Sequence, residues 1–378
     1  MTFIRFLILL LVFLTLNCYI FIRGKQALPE KPVLHLIYTV LFVAVSLSIF
    51  VAIFAGNKLP VWIAFILEQI GGYWVILFTY IVAAVVLGDL LRITGHFLPI
   101  FPEWIVGHYR DVKLGYFCLV LLFLGTISFI GFIRFSHPRI VEFNISANHN
   151  RGTSTELNIV SVSDLHLGNV VRKKRLIRWV DRINSQKPDI IFLAGDIFDH
   201  SYQAVESQQM GAELARLQAP HGVYAIPGNH DYYTGVDRAM AYLKHSGIKV
   251  LRDSAVIIDG KIALIGRDDL TNRNRKTLVS LIAGLDTSLS KIVLDHQPLS
   301  LAESVENHID LHLSGHTHNG QIFPFNRIVS GIYELGYGYR KTGNTHFYVS
   351  SGLGLWGAPI RLGTQSELVK IHFKTLGN

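Results

Sequence analysis

An aspartate follows directly on a buried apolar run in the second half of the chain. Residues 190–194 are followed by Gly195 and Asp196, and Asp199 comes three residues later. An uninterrupted apolar run of this length is typical of a buried parallel strand, and ligands bind at the carboxyl ends of such strands in open α/β sheets. A Gly-Asp pair is also a common turn in which the Asp caps the next helix. The choice between a ligand-binding site and a helix-capping turn depends on whether other strands also end in residues that can bind a ligand.

Four further apolar segments also end in residues that bind metals. These are Asp164 and His166 after residues 157–162, Asn229, His230 and Asp231 after residues 222–226, His296 after residues 292–294, and His316 and His318 after residues 311–313. Histidine nitrogens with carboxylate or amide oxygens suit Mn, Fe or Zn. In extended backbone, residues two apart point to the same side, so the Asp-x-His and His-x-His pairs are each expected to aim two ligands at one point. Asp196, in the middle of the set, can bridge two ions and so serve a phosphoryl displacement.

Strand-like and helix-like segments alternate from residue 139 onward, which favours an α/β fold. We expect a first strand with one exposed face at residues 140–146, and others at 157–162, 190–194, 222–226, 249–251, 255–258, 262–265, 292–294, 311–313, 346–350 and 368–373. Helices are expected at residues 170–184, 203–217 and 237–245. Gly352-Leu353-Gly354 lacks the full spacing of a dinucleotide-binding loop, and we interpret it as a turn.

The first third of the chain is almost continuously apolar. Residues 3–22, 33–54, 72–91 and 114–133 are each about 20 residues long, which suffices to cross a ~30 Å hydrocarbon core, and they predict four transmembrane helices. Residues 61–70, which contain Glu68, either extend the third helix or lie at the interface. We therefore predict a multi-pass transmembrane region, a linker with the first strand, and a soluble domain, with the boundaries 1–135, 136–156 and 157–378.

Basic residues predict the orientation in the cell membrane. Six lie in the first and third loops and four on the other side, namely Arg23, Lys25, Lys31, Arg92, Arg110 and Lys113 against Arg5, Lys58, Arg134 and Arg139. The positive-inside bias places the first and third loops in the cytoplasm and the soluble domain outside it. Of the acidic residues in the spans, Glu68 and Asp89 are candidates for function. Because Asp89 is three residues from Arg92, an interfacial ion pair explains it as well.

The composition narrows the classes of function. Both cysteines, Cys18 and Cys118, fall in predicted spans, so a cysteine-rich zinc site is excluded and cysteine usage does not identify the redox compartment. The net charge is +8, but the basic residues are dispersed and lack interleaved aromatics, so nucleic acid is not expected as a partner. The basic cluster on the helix at residues 170–184 is either a solvated face or a contact with anionic headgroups. It consists of Arg172, Lys173, Lys174, Arg175 and Arg178.

These residues together resemble the calcineurin-like metallophosphoesterases, over residues 157–373. The five signature blocks are Asp164-x-His166, Gly195-Asp196-x-x-Asp199, Gly228-Asn229-His230-Asp231, His296 and Gly315-His316-Thr317-His318. The last block continues with Gly320-Gln321, and in this the sequence is similar to the membrane-anchored phosphodiesterase branch of the family. Two positions depart from the family pattern. Relatives often have Gly in place of Asn319, and they have a Pro-rich segment in place of residues 364–367. These departures concern the branch of the family and the substrate. The resemblance implies a two-sheet α/β/β/α sandwich behind the four transmembrane helices.

Carried over by position, the family pattern implies two divalent metal ions. One would be held by Asp164, His166, Asp196 and His318, and the other by Asp196, Asn229, His296 and His316. His230 would protonate the leaving oxygen or stabilise charge, with Asp231 orienting its imidazole. The nucleophile would be a metal-bound hydroxide. Asp199 would steady a ligand or the loop, and Asp295 either supports His296 or only ends its strand.

The other histidines of the soluble half have no partner at ligand spacing, and we interpret them as surface or packed residues. They are His200, His221, His245, His308 and His312.

The sequence thus predicts a membrane-bound, dinuclear-metal-dependent phosphoesterase that hydrolyses a phosphodiester or pyrophosphate bond. Its expected partners are the lipid bilayer and a phosphorylated small-molecule or lipid-linked substrate, because the soluble domain follows the last span closely and the basic helix can steer anionic groups. The alternative is a membrane receptor or transporter whose soluble domain binds or regulates without turnover. The presence of His230 and Asp196 favours the enzyme.

Overall fold

The computed structural model describes residues 3–55, 58–148, 155–199 and 202–376. Residues 1–130 and 131–378 form two compact units. His200 and residues 149–154 of the predicted linker lie outside the described residues.

The first unit consists of helices. They are α1 (Phe3–Ala27), α2 (Pro32–Ala55), α3 (Val61–Phe97), the short α4 (Glu103–Gly107) and α5 (Tyr109–Ser136), whose last residues belong to the second unit. Within the described residues, four helices are long and apolar enough to cross a membrane, which confirms the four predicted spans. Residues 61–70 extend the third of these, so α3 has 37 residues.

Asp89 lies in an ion-pair cluster of the first unit. Its carboxylate is 2.7 Å from Arg23 Nη2 and 3.7 Å from Arg92 Nε, and it accepts a hydrogen bond from the Tyr19 hydroxyl. The predicted contact with Arg92 is therefore present, but the closer cation comes from the first helix.

The second unit contains twelve strands among its described residues. They are β1 (Arg139–Asn148), β2 (Thr155–Val162), β3 (Ile190–Ala194), β4 (Val223–Ile226), β5 (Lys249–Val250), β6 (Ser254–Ile258), β7 (Ile262–Gly266), β8 (Ser290–Leu294), β9 (Leu311–Ser314), β10 (Gly338–Thr342), β11 (Thr345–Val349) and β12 (Glu367–Leu376).

Its helices are mostly short. They are α6 (Lys173–Asn184), α7 (Tyr202–Ser207), α8 (Met210–Leu214), α9 (Asn229–Thr234), α10 (Val236–His245), α11 (Leu278–Ile282), α12 (Leu301–Glu306) and α13 (Phe325–Ile332), with a 3-10 turn at His318–Gly320. The predicted single helix at residues 203–217 is wrong: α7 and α8 are separated at Gln209, which has a left-handed backbone with φ 52°.

The strands form two six-stranded mixed sheets, with the orders β1-β12-β2-β3-β4-β5 and β10-β11-β9-β8-β7-β6. In the first sheet β2, β3 and β4 are parallel neighbours. In the second sheet β7, β8, β9 and β11 are parallel. The carboxyl ends of parallel neighbours meet at one edge of each sheet.

The two sheets pack face to face, and helices cover their outer faces. Strand β3 shows the pattern: Ile190 and Phe192 lie in the core between the sheets, whereas Ile191 and Leu193 lie in the core beneath α6 and its neighbouring helices. A third core packs α11 on the outside of the second sheet. Burial on both faces is the reason that the strand sequences are continuously apolar. The predicted two-sheet α/β/β/α architecture is confirmed.

Candidate metal centre

The predicted ligands lie in the turns that follow β2, β3, β4, β8 and β9. Five of them have left-handed backbone, with φ between 47° and 70°: Asp164, His166, Asp196, His316 and His318. The expectation that the Asp-x-His and His-x-His pairs run in extended backbone is therefore wrong. Asp and His tolerate this region better than most residues, and such backbone strain concentrates at functional sites.

One group of donor atoms comes from both sheets. Ligand atoms of Asp164, His166 and His318 all lie within 4.8 Å of one another, and the three residues are buried. His166 Nε2 is 3.1 Å from His318 Nε2, and His318 Nε2 is 3.4 Å from Asp164 Oδ1. Three of the four residues predicted for the first ion are thus together.

A second group lies beside the first. Ligand atoms of Asp196, His296 and His316 also lie within 4.8 Å of one another. His296 Nε2 is 3.1 Å from Asp196 Oδ2, and Asn229 Oδ1 is 2.8 Å from His316 Nδ1. The four residues predicted for the second ion are therefore neighbours.

Asp196 connects the two groups. Its Oδ2 is 3.1 Å from His296 Nε2 in one group and 3.8 Å from His166 Nε2 in the other. Its Oδ1 accepts a hydrogen bond from the backbone N–H of His230 at 2.8 Å, which fixes the plane of the carboxylate. Asp196 therefore lies between the two groups.

The donor set fits divalent ions. His296 Nδ1 donates to the carbonyl of Ala194 at 2.8 Å, so in the neutral ring the lone pair of Nε2 faces the carboxylate of Asp196, and Nε2 has no hydrogen-bond partner. Two buried lone pairs facing each other are unfavourable unless a proton or a cation lies between them. The closest donor atoms within the groups are 2.8–3.4 Å apart, and His166 Nε2 is 3.8 Å from Asp196 Oδ2, so the donors of each set are close enough to bind one ion.

Burial and neighbouring charges set the protonation of the metal-free site. Burial lowers the pKa of His316 to about 4 and that of His318 well below the usual value, so both imidazoles are in the neutral form that binds a metal. Burial opposes ionisation of Asp196, but the adjacent His296 and His166 hold its pKa below the usual range. Asp196 in turn holds the pKa of His296 well above its usual value, although burial opposes this.

His230 is contacted by Asp199. His230 Nδ1 is 3.3 Å from Asp199 Oδ1, and the same oxygen is 3.7 Å from His166 Nδ1. His230 is half-buried, and its ring meets the His166 ring edge-on with the centroids 4.6 Å apart. The predicted role of Asp199 in steadying a ligand is compatible with this geometry, and Asp199 also orients the imidazole of His230.

Asp231 has a different role from the one predicted. Its carboxylate accepts hydrogen bonds from the backbone N–H groups of Gly228 at 2.8 Å and Phe198 at 2.9 Å, and also from Ile197. Burial and the charge of Asp196 raise its pKa to about 7. Asp231 therefore ties the start of α9 to the turn after β3, and the expectation that it orients His230 is wrong.

Other predicted residues lie outside the two groups. Asp295 is buried between Arg267 and Arg275, at 3.1 and 3.0 Å, so it serves this ion-pair network and not the ring of His296. His312 is packed between two serine hydroxyls. His221, His245 and His308 are likewise absent from these groups within the described part of the chain.

Several supporting residues were not found from the sequence. In the loop interpreted as a turn, Leu353 and Gly354 donate backbone hydrogen bonds, both at 2.9 Å, to the carbonyls of Ser163 and Asp164. Arg361 is fully buried and donates to the carbonyls of Ser351 at 2.7 Å and Gly354 at 2.5 Å, and it is 3.4 Å from His318 Nδ1. The sequence feature that could have revealed Arg361 is a single basic residue inside an apolar segment.

The departure at Asn319 also has a structural account. Asn319 has a left-handed backbone, with φ 49°. This is the region in which Gly is favoured and Asn is the usual substitute. The departure from Gly therefore preserves the turn that positions His318.

The sequence of this chain is similar to those of known proteins. The sequence profile of the calcineurin-like phosphoesterases matches residues 157–320. A metallophosphoesterase of Helicobacter pylori is 32% identical over 267 residues, covering 69% of this chain and 70% of its own. A transmembrane protein with metallophosphoesterase domain from Danio rerio is 28% identical over 373 residues, covering 93% of this chain and 83% of its own.

Among solved structures, a 5'-nucleotidase precursor of Thermus thermophilus aligns with a TM-score of 0.38 and 15% identity. The match covers 58% of this chain and 55% of that one.

Proposed function

The chain belongs to the calcineurin-like phosphoesterase family, and we propose that it is a membrane-bound, two-metal enzyme that hydrolyses a phosphodiester or pyrophosphate bond. The family and the four membrane-crossing helices make it a membrane protein with a phosphoric ester hydrolase domain. One observation carries the finer proposal: six predicted ligands, which follow strands of both sheets, lie in two groups beside the carboxylate of the seventh, Asp196.

The two ions would be held by the sets expected from the family pattern. These are Asp164, His166, Asp196 and His318 for one, and Asp196, Asn229, His296 and His316 for the other. Bound divalent ions supply an activated water and positive charge for the phosphoryl oxygens. The donors are nitrogen and oxygen only, which suits Mn, Fe or Zn.

His230 would handle the proton of the leaving oxygen. Its Nδ1 faces Asp199, and its Nε2 is the atom that would exchange a proton with the substrate. Its backbone N–H holds Asp196, so the proton-transfer group and the bridging carboxylate are fixed to each other through one residue. No protein nucleophile is needed, because water is the second substrate.

The rival is a receptor or transporter domain that binds without turnover. It would tolerate loss of a proton-transfer group, whereas the enzyme would not. The intact arrangement of His230, Asp199 and Asp196 supports the enzyme.

The proposal is tested with the full chain in detergent. Metal-free protein is loaded separately with Mn, Fe or Zn and assayed against a model phosphodiester, a phosphomonoester and a lipid-linked pyrophosphate. We expect turnover of the diester or the pyrophosphate, and loss of about 10²–10⁴-fold in kcat for His230→Ala with its bound metal retained. Asn229→Ala should lose metal as well as activity. Equal activity in both variants, or none in the parent with any metal, would favour the receptor.

The catalytic unit is proposed to lie outside the cytoplasm, on the basis of the positive-inside bias. The test uses a chain whose two cysteines, Cys18 and Cys118, are replaced by alanine. A single cysteine is introduced at exposed Val279, or in the first loop at Lys31. We expect a membrane-impermeant maleimide to label Val279→Cys in intact cells and Lys31→Cys only after lysis. The reverse pattern would place the catalytic unit in the cytoplasm.

A further inference from the structure

Helix α13 carries an apolar face that the protein leaves exposed. None of its residues is buried, and Phe325, Ile328 and Ile332 are 38%, 51% and 67% exposed. Their spacing of three and four residues puts them on one side of the helix. Single exposed apolar residues are ordinary, whereas a continuous patch marks an interaction surface.

Two aromatic residues extend this face. Phe323 lies two residues before the first residue of α13 and is 52% exposed, and Trp356 is 44% exposed. The segments that carry them are in contact, because the side chain of Gln321, two residues before Phe323, donates a hydrogen bond to the carbonyl of Trp356 at 2.9 Å. We call Phe323, Phe325, Ile328, Ile332 and Trp356 the apolar patch.

We propose that the apolar patch lies in the headgroup region of the lipid bilayer and holds the catalytic unit against the membrane. An amphipathic helix with aromatic and aliphatic residues on one face binds the interface in this way, with its apolar face ~5–10 Å into the headgroup boundary. Trp is also favoured at this depth.

The end of α5 lies within the catalytic unit and contacts residues near the apolar patch. Residues 131–136 of α5 belong to this unit. The carbonyl of Gly131 accepts a hydrogen bond from Arg361 N at 3.1 Å. A Cβ at Gly131 would lie 2.4 Å from Ile360 Cγ2. The segment at residues 360–361 therefore touches the helix near the end of its apolar stretch.

The apolar patch is joined to that same segment. Phe323 N donates to the carbonyl of Leu362 at 2.7 Å, and Leu362 follows Arg361 directly. Phe323 of the apolar patch is thus bonded to Leu362, the residue next to Arg361, which contacts α5. This continuity with the membrane anchor is the reason that we choose the bilayer as the occupant of the patch.

Basic residues of α6 lie near the same end of α5. Arg175 of α6 stacks on Phe135, 4.0 Å from the ring centroid, and Phe135 also packs on Trp179 with the centroids 6.3 Å apart. Arg172, Lys174 and Arg178 are exposed on this helix. Basic residues beside an apolar face match anionic headgroups beside acyl chains.

The proposed contact places the metal centre close to the bilayer. A Cβ at Gly320, in the turn of His318, would lie 2.4 Å from Asn326 N of α13. Tyr333, which follows α13, has its ring centroid 6.2 Å from that of His316. A phosphate on a lipid could then reach the centre from the membrane surface, a consequence that rests on the proposed function.

Depth-dependent quenching tests the membrane contact without any assay of activity. The full chain with Cys18→Ala and Cys118→Ala receives one cysteine at Ile328 or Ile332, each labelled with a fluorophore, in vesicles of phosphatidylcholine and phosphatidylglycerol. The matched control is Val279→Cys, because Val279 is 60% exposed on helix α11. Doxyl-labelled lipid should quench the labels on α13 by about twofold or more and leave the control unchanged. Equal quenching at Ile332 and Val279, or shielding of Ile332 from iodide without quenching by lipid, would overturn the proposal.

A second variant separates membrane contact from chemistry. The double substitution Ile328→Ser with Ile332→Ser should leave turnover of a soluble model phosphodiester within about twofold and lower turnover of a vesicle-embedded pyrophosphate lipid about tenfold. A parallel loss on both substrates, or no loss on the lipid, would contradict the proposal. A parent inactive on both substrates would refute the proposed function, and the quenching result would still decide the membrane contact.

Discussion

His230 and the two carboxylates near it show how single residues divide the work at the site. Asp199 contacts the imidazole of His230. Asp231, which directly follows His230 in the chain, accepts hydrogen bonds from three backbone N–H groups. A carboxylate that satisfies backbone donors stabilises a turn. One that faces a ring nitrogen can set the orientation of that ring.

The first prediction concerns Asp199. Asp199→Ala should lower kcat roughly 10–100-fold, because His230 and His166 lose the carboxylate near their Nδ1 atoms. We expect unchanged KM and unchanged bound metal, measured by steady-state kinetics and elemental analysis, and partial recovery in Asp199→Asn. An unchanged kcat would contradict the positioning role, and loss of metal would assign Asp199 to His166 instead.

The second prediction concerns the space around Asp196. A Cβ at Gly228 would lie 2.2 Å from Asp196 Oδ1 and 2.4 Å from Asp196 N, so Gly228→Ala must displace the bridging carboxylate. We expect loss of bound metal and a fall in kcat of at least about 10²-fold.

The matched control is Gly331→Ala. Gly331 has no atom within 4 Å of an added Cβ, and Ala is favoured over Gly in a helix by about 0.5–1 kcal/mol. Metal content and kcat should equal those of the parent. Retention of both ions by Gly228→Ala would show that the carboxylate can move without cost.

At the scale of elements, the order of strands brings the ligands together. Parallel neighbours deliver their carboxyl ends to a shared edge, and the two sheets pack through one core. Strand β1 pairs in parallel with β12 along ten residues, so the first strand after the membrane helix is fixed by the last strand of the chain.

Glu367, at the start of β12, gives the third prediction. Its buried carboxylate accepts hydrogen bonds from Tyr348 and Tyr337 hydroxyls, from Ser351 N and from Arg139 Nη2, at 2.9–3.1 Å. Glu367→Ala leaves these donors without an acceptor and should destabilise the unit by about 3 kcal/mol. For a unit of this size the Tm falls by roughly 6–12 °C.

The control lies on the neighbouring strand. Glu142 is half exposed and pairs with Lys370 and His372, and exposed ion pairs contribute little. Glu142→Ala should therefore keep the Tm of the parent in a thermal scan of the metal-free full chain. Equal shifts for the two variants would mean that the burial of Glu367 contributes nothing.

At the scale of the whole molecule, membrane anchor and catalytic unit are joined by almost no linker. Helix α5 ends at Ser136 and β1 begins at Arg139, so only His137 and Pro138 lie between them. The last membrane-crossing helix and the first strand of the phosphoesterase domain are therefore separated by two residues of sequence.

The fourth prediction concerns removal of metal from the whole protein. Chelation should abolish activity and lower the Tm, because the buried carboxylates lose their counter-charge and because a ligand at 100 times its Kd stabilises the folded state by about 2.7 kcal/mol. Adding back Mn, Fe or Zn should restore both properties. Asp196→Asn should show no metal-dependent change in Tm. A parent Tm that responds to neither chelator nor metal would argue against the dinuclear centre.

The sequence predicted much of this architecture because its signals are local. Twenty-residue apolar lengths indicated the four helices, and alternating segments indicated the strands. The ligand types after successive strands indicated a metal site. These features depend on periodicity and residue type within a short window.

What the sequence by itself determined is the set of residues available for chemistry and the order of elements that carry them. Only the tertiary structure decided the left-handed turns at Asp164 and His166, the partner of His230, the buried role of Arg361 and the exposed face of α13. Each of these depends on atoms distant in the chain: Asp199 is 31 residues from His230, and Arg361 is 43 residues from His318. A local pattern cannot reveal such partners, because packing between the two sheets and the loops at their edge chooses them.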